Sequence, residues 1–239
     1  MSFELASCLV TLFLLAGIGT PIGYSIMLAS VVYLGFSGLD VALAGEKILQ
    51  GFYLSTILIA VPLFIVAANI MNAGTITDRL LNFCVAAVGC FKGGLGHVNV
   101  VASLIFSGMS GSAVADAAGI GKIIIEMMTK DNRYTRGYAA AITAASATIG
   151  PIIPPSIPMV LYALVSKASI GSLFLAGILP GLIMGLVLMI MNYYMAGKRG
   201  FAMEDPIPLR ELPRKTANAF PALLMPVIFL YGIYGGVRL

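Results

Sequence analysis

The chain has 239 residues, 59% hydrophobic and 10% charged, with a net charge of +4 and a mean hydropathy of +1.00. A soluble domain carries roughly 25% charged residues, so this composition excludes an ordinary water-soluble globule. No Lys/Arg block interleaved with aromatics is present, which excludes a nucleic-acid partner.

The apolar runs are continuous rather than alternating, so the chain is predicted to be an all-α integral membrane protein with the lipid bilayer as its solvent. Phe3 to Ala16 reads as an apolar helix broken by Gly17-Ile18-Gly19-Thr20-Pro21, and Ile22 to Phe36 as a second apolar run. Each falls short of the roughly twenty residues that cross a bilayer, so they form either two tilted spans or one broken unit. The first run lacks a basic leader region and a small-residue cleavage site, and is not expected to be a cleaved signal peptide. Asp40 to Gln50 predicts an interfacial helix. Gly51 to Met71 predicts a full span kinked at Pro62, closed by Asn72-Ala73-Gly74, with Asn69 and Asn72 as packing and capping groups. Thr75 to Phe91 repeats Leu80, Leu81, Cys84, Val85 and Val88 at helical spacing, the pattern of an amphipathic helix lying in the interface.

After Lys92-Gly93-Gly94 the pattern changes. Leu95 to Phe106 spans only about 18 Å as a helix, too little to cross. A serine–glycine tip, Ser107-Gly108-Met109-Ser110-Gly111-Ser112, follows, and Ala113 to Met128 is a second run of similar reach. Two half-length helices joined by small residues predict a re-entrant hairpin. Lys130 to Arg133 is a polar loop. Gly137 to Ile149, the break Gly150-Pro151-Ile152-Ile153-Pro154-Pro155-Ser156, and Ile157 to Val165 predict a discontinuous helix with an unwound centre. Ser169 to Ala196 predicts a long span kinked at Pro180-Gly181, with Asn192 and Tyr193 as interface anchors. Lys198 to Lys215, with Pro206, Pro208 and Pro213, reads as a connector, and Ala219 to Tyr234 as a further apolar helix. With the hairpin entering from the cytoplasm, Arg79, Lys92, Lys130, Arg133, Arg136, Lys198, Arg199, Arg210, Arg214 and Lys215 face inward against Lys47 and Lys167 outside, as the positive-inside rule requires.

Small and polar residues at membrane depth cost free energy unless they are buried in protein or line a site. A helix end leaves backbone groups without intrahelical partners: carbonyls and serine oxygens suit a hard cation such as Na⁺, and N–H groups suit a carboxylate. The candidate ion- and substrate-binding residues are therefore Ser107, Ser110, Gly111, Ser112 and Asp116 on the hairpin, and Gly150, Pro151, Pro154, Pro155 and Ser156 at the break, with Ser110, Ser112 and Gly150 as the Na⁺ candidates. Packing by Gly and Ser without a ligand is the alternative for the tip, and a bracing role the alternative for Asp116. His97, the single histidine, reads as an interfacial hydrogen-bonded residue. Cys8, Cys84 and Cys90 read as unpaired core thiols with no metal-ligand company.

Gly108-Met109-Ser110-Gly111 also matches the Gly-x-Ser-Gly of rhomboid intramembrane proteases, but such an enzyme needs a histidine after the serine, and His97 precedes it. No phosphate-binding Gly-x-x-x-x-Gly-Lys loop is present. The chain is not expected to be an enzyme, and no cofactor is expected.

The segments Ala60–Ile65, Gly94–Ser103, Ser110–Asp116, Ile149–Ser156 and Leu173–Gly181, in this order, resemble the large membrane subunit of TRAP (tripartite ATP-independent periplasmic) transporters. The resemblance covers essentially the whole chain. It implies an elevator-type secondary transporter with inverted repeats in the bacterial inner membrane, importing organic acids such as C4-dicarboxylates or sialic acid with Na⁺. It implies a small four-helix membrane subunit and a periplasmic substrate-binding protein as partners. It divides the chain into scaffold helices (1–73), an interfacial arm (75–92), a transport-domain hairpin and broken helix (93–165), a long span (166–198), a connector (199–218) and the first helix of a truncated second repeat (219–239). Two departures stand out: Ala67-Ala68-Asn69-Ile70-Met71 lacks the Gly-Glu pair frequent in that family, and no second hairpin follows within these residues. A non-transporting scaffold subunit or an incomplete half-transporter is the competing expectation.

Overall fold

The computed structural model describes residues 3–54, 62, 66, 76–201 and 211–234. They fall into two compact units, Met1–Thr56 and Ile57–Leu239, and each is described by itself. Among the described residues every regular element is helical.

In the first unit, α1 (Phe3–Gly17) and α2 (Ile22–Phe36) are separate helices, followed by α3 (Ala42–Leu54). Pro21 supplies no N–H and its φ of −55° suits the start of α2. α1 and α2 fold back on one another, and the Phe3 and Phe36 rings meet edge to face at 5.4 Å. Thr20 donates to the Leu15 carbonyl at 2.6 Å and lies 2.7 Å from the Ser25 hydroxyl, satisfying the turn. The two runs are thus distinct helices joined by a turn at residues 18–21. The span expected over Gly51 to Met71, the Asn69 and Asn72 positions and the Gly-Glu departure lie almost wholly outside the described residues.

The second unit holds α4 (Ile76–Val88), α5 (Gly94–Ser110), α6 (Ala113–Ala118), α7 (Ile120–Thr129), a 3₁₀ turn (Lys130–Asn132), α8 (Arg136–Ala147), α9 (Ile157–Ser166), α10 (Ile170–Arg199) and α11 (Leu212–Tyr234). α4 buries Thr77, Leu80, Leu81 and Cys84, one helical face, and packs on α11 and α5. Cys84 is the core thiol expected, whereas Cys90 is exposed because it falls beyond the end of α4. α11 starts at Leu212, seven residues before the expected Ala219, because a proline in a helix's first turn breaks no hydrogen bond and Pro213 sits there.

α10 runs 30 residues without interruption, with Pro180 inside it, and among the described residues it is the one helix long and apolar enough to cross a membrane. Its packing is inverted relative to a soluble helix. Gly177, Gly181 and Gly185 face inward, while Leu175, Leu179, Leu182, Ile183, Leu186 and Val187 are exposed. Lipid tails are as apolar as leucine, so leucine gains little by leaving them, and close backbone approach over glycines holds the helices instead. Gly181, expected as part of a kink, is a packing position. A Cβ on Gly177 would come within 2.6 Å of the Met159 Cε, one on Gly181 would strike Ile153, and one on Gly185 would lie 2.7 Å from Leu104 Cδ1. Gly177 and Gly181 thus seat the broken helix against a continuous rod, and Gly185 seats α5 against it.

Candidate functional site

Two interruptions build the site. α5 runs four residues past the end of its apolar run, through Ser107, Gly108, Met109 and Ser110. Ser107 is tolerated inside the helix because its hydroxyl donates to the Ser103 carbonyl one turn back. The tip therefore contracts from six residues to Gly111 and Ser112. Gly111 adopts the left-handed conformation (φ 61°, ψ 15°) and donates its N–H to the Ser107 carbonyl at 3.2 Å, closing the helix as a glycine cap does. Ser112 is extended and caps α6, accepting from the Ala115 N–H at 3.4 Å. The return limb packs back on α5, but it is not one run. Gly119 (φ −83°, ψ −100°) separates α6 from α7.

The second interruption begins two residues before the expected helix end at Ile149. α8 ends at Ala147, and Ile152 and Ile153 both donate to the Ile149 carbonyl, at 2.9 and 3.0 Å. Ser156 caps α9 through the Met159 N–H at 3.3 Å and donates to the Pro151 carbonyl at 2.5 Å, so one hydroxyl ties both ends of the break. Pro154, Pro155 and Ser156 are buried and Pro151 is half-buried.

The two interruptions meet through their main chains. The Ile157 N–H at the start of α9 donates to the Gly111 carbonyl at 3.3 Å. A Cβ on Gly111 would press on the Pro155 carbonyl oxygen and lie 3.1 Å from the Ile157 nitrogen. Beside this junction Ser110 donates to Asp116 Oδ1 and accepts from the Ser112 N–H at 3.3 Å. Asp116 is 1% exposed, and its Oδ2 is the one buried side-chain polar atom, among the described residues, that makes no hydrogen bond. That oxygen faces Gly150, where a Cβ would lie 2.8 Å from it. Ser110, Gly111, Asp116, Gly150, Pro155 and Ser156 are thus gathered at one place. Ser112 borders it as a half-buried cap, and Pro151 and Pro154 shape the break. Ser107 lies inside α5 with its hydroxyl engaged. No three His, Cys, Asp or Glu side chains converge among the described residues.

His97 sits at the opposite end of α5, buried, with Nε2 3.1 Å from the Lys92 carbonyl. Thirteen helical residues, about 20 Å, separate it from Ser110, so the pair forms no hydrolytic dyad.

Two buried polar clusters were not legible as sites. Asn99 donates to Thr143 Oγ1 at 2.6 Å and accepts from Ser146 at 3.1 Å, and Ser103 donates to Ser146 at 3.0 Å. Asn192, expected as an interface anchor, is fully buried. It accepts from the Tyr138 hydroxyl at 2.7 Å and donates to the Gly93 carbonyl at 3.0 Å. Its signal was the presence of an amide in a long apolar helix, where an unpaired polar group is costly.

An all-helical body that turns glycines inward and leucines outward, and that joins two interrupted helices at a buried acid, has the architecture of a membrane transport protein. Residues 9–239 match the family model for the tripartite ATP-independent periplasmic transporter, DctM component, and the chain belongs to this family. It is 43% identical over 219 residues to the sialic acid TRAP transporter large permease protein SiaM of Vibrio cholerae, covering 91% of this chain and 51% of that protein. It is 37% identical over 221 residues to the C4-dicarboxylate TRAP transporter large permease protein DctM of the same species, covering 92% and 49%. It is 35% identical over 221 residues to the 2,3-diketo-L-gulonate TRAP transporter large permease protein YiaN of Escherichia coli, covering 92% and 52%. The chain spans about half the length of these relatives.

Proposed function

We propose that this chain is the N-terminal part of a TRAP large permease that imports an organic acid, a C4-dicarboxylate or a sialic-acid-like carboxylate, together with Na⁺. The coupling ion binds where the α5–α6 tip meets the α8–α9 break, with Ser110, Ser112 and the Gly150 region as ligand sources and Asp116 as the negative charge. The observation that supports this reading is the junction itself. A buried Asp116 oxygen without a hydrogen-bond partner stands beside Gly150, and Ser110, which donates to the other oxygen of that side chain, immediately precedes Gly111, whose carbonyl accepts from Ile157; a buried polar atom left unpaired is costly unless something compensates it.

In this reading α5 to α7 form a re-entrant hairpin that travels with the broken helix in an elevator motion. Residues 1–73 serve as scaffold, 75–92 as an arm, and a second repeat begins with α11. The working assembly includes a small membrane subunit and a periplasmic binding protein in the bacterial inner membrane. Organic-acid uptake by cells carrying the intact transporter tests this. Uptake is expected to require Na⁺, and Ser112→Ala is expected to raise the Na⁺ needed for half-maximal uptake by about tenfold, about 1.4 kcal/mol. Uptake of equal rate with Na⁺ replaced by choline would refute the coupling.

A further inference from the structure

We propose that Asn192 is a positioning residue, clamping the foot of the hairpin to α8 and α10 so that its far end stays aligned with the broken helix. The inference rests on the coupling reading above for its consequence, though not for its geometry.

The foot is built around the Asn192 amide. Its nitrogen donates to the Gly93 carbonyl at 3.0 Å, and that carbonyl also accepts from the Gly96 and His97 N–H groups at 2.8 and 3.2 Å. Gly93 O is therefore the atom on which α5 begins. The amide oxygen accepts from Tyr138, in the first turn of α8, at 2.7 Å. Tyr138 is held in turn by Phe201, with ring centroids 4.8 Å apart, and by Arg199 over its face at 5.6 Å. Two glycines open the slot. Gly93 has φ 78°, a conformation that L side chains avoid, and a Cβ there would lie 3.0 Å from Asn192 Nδ2 and 2.6 Å from the Ala196 Cβ. A Cβ on Gly96 would lie 2.6 Å from Asn192 Cγ.

Farther along, α5 is tied to α8 through Asn99–Thr143 and Ser103–Ser146, and its end to α9 through Gly111–Ile157. Among these polar ties, the foot is where α10 enters. α5 has 17 residues, a lever of about 25 Å, so a rotation of about 5° at the foot displaces the far end by roughly 2 Å. That is enough to break the 3.3 Å Gly111–Ile157 hydrogen bond.

The test uses the intact transporter, reconstituted as wild type, Asn192→Ala and Tyr138→Phe. Hydrogen exchange over residues 93–98 and the Na⁺ midpoint of uptake are read on the same preparations. Both variants are expected to speed exchange at the foot and to raise the Na⁺ midpoint by about threefold or more, with Asn192→Ala the larger. Should Asn192→Ala fail to reach the membrane, Tyr138→Phe, which removes one hydroxyl, carries the same expectation. Foot exchange at the wild-type rate overturns the clamp, as does uptake that falls only with protein amount while the midpoint stays fixed. A wild type indifferent to Na⁺ refutes the coupling reading instead. The clamp is then decided by foot exchange and the solute midpoint.

Discussion

Gly111→Ala probes the junction between the two interruptions most directly. Gly111 sits at φ 61°, ψ 15°, where an L side chain costs about 1–2 kcal/mol. The added methyl would be driven against the Pro155 carbonyl oxygen and would lie 3.1 Å from the Ile157 nitrogen and 3.2 Å from Ser156 Cα. All three are backbone atoms, held by consecutive prolines and by the Ser156 cap, so none can rotate aside. The hairpin end must back away, which forfeits the 3.3 Å Ile157–Gly111 hydrogen bond, about 1 kcal/mol. The sum, about 2–3 kcal/mol, corresponds to roughly 30- to 150-fold in the equilibrium that keeps the junction closed. Initial uptake rates in proteoliposomes of the intact transporter, normalised to reconstituted protein, read this out. Gly111→Ala is expected to lower the rate at fixed Na⁺ by about tenfold or more. Gly137→Ala, where an added Cβ meets nothing within 4 Å, is expected to leave it unchanged. A Gly111→Ala protein that keeps its rate within about twofold, with the same Na⁺ dependence, would show that the junction carries no functional load.

Two further outcomes are expected. Gly150→Ala places a methyl 2.8 Å from Asp116 Oδ2 and 3.2 Å from the Ala113 nitrogen, and is expected to raise the Na⁺ midpoint of uptake by about tenfold without lowering the amount of protein in the membrane; a midpoint equal to wild type would remove Gly150 from the site. Asn99→Ala strips Thr143 and Ser146 of a buried partner and is expected to destabilise the helix packing by about 1–2 kcal/mol, measured as a thermal midpoint lowered by about 2–8 °C in detergent; an unchanged midpoint would mean that the cluster adds nothing to stability.

Both interruptions were legible because the residues that create them are chemically unambiguous. Three prolines within five positions, Pro151 to Pro155, remove N–H donors from any helix, and a glycine beside serines after Phe106 cannot be read as ordinary lipid-facing surface. The exact tip was less legible. Ser107 and Ser110 look like loop residues, yet each finds an acceptor, one in its own helix and one in Asp116, so the helix continues past them. The Gly119 break was hidden because a glycine inside an apolar run, with Gly121 two residues on, is also tolerated within a helix.

Composition and continuous apolar runs by themselves determined the membrane class, the helical fold and the places where helices are interrupted, because a bilayer allows so few ways to satisfy the backbone. Partnership needed the tertiary structure. Asn192 reaches Gly93 across 99 positions of sequence and Asn99 reaches Thr143 across 44, and hydrogen-bond partners so far apart in the chain leave no local periodicity to read. The same holds for the inward glycines of α10, whose meaning depends on Ile153 and Leu104 lying opposite them. A one-dimensional pattern records which residues are small or polar; only packing decides which other residue each of them serves.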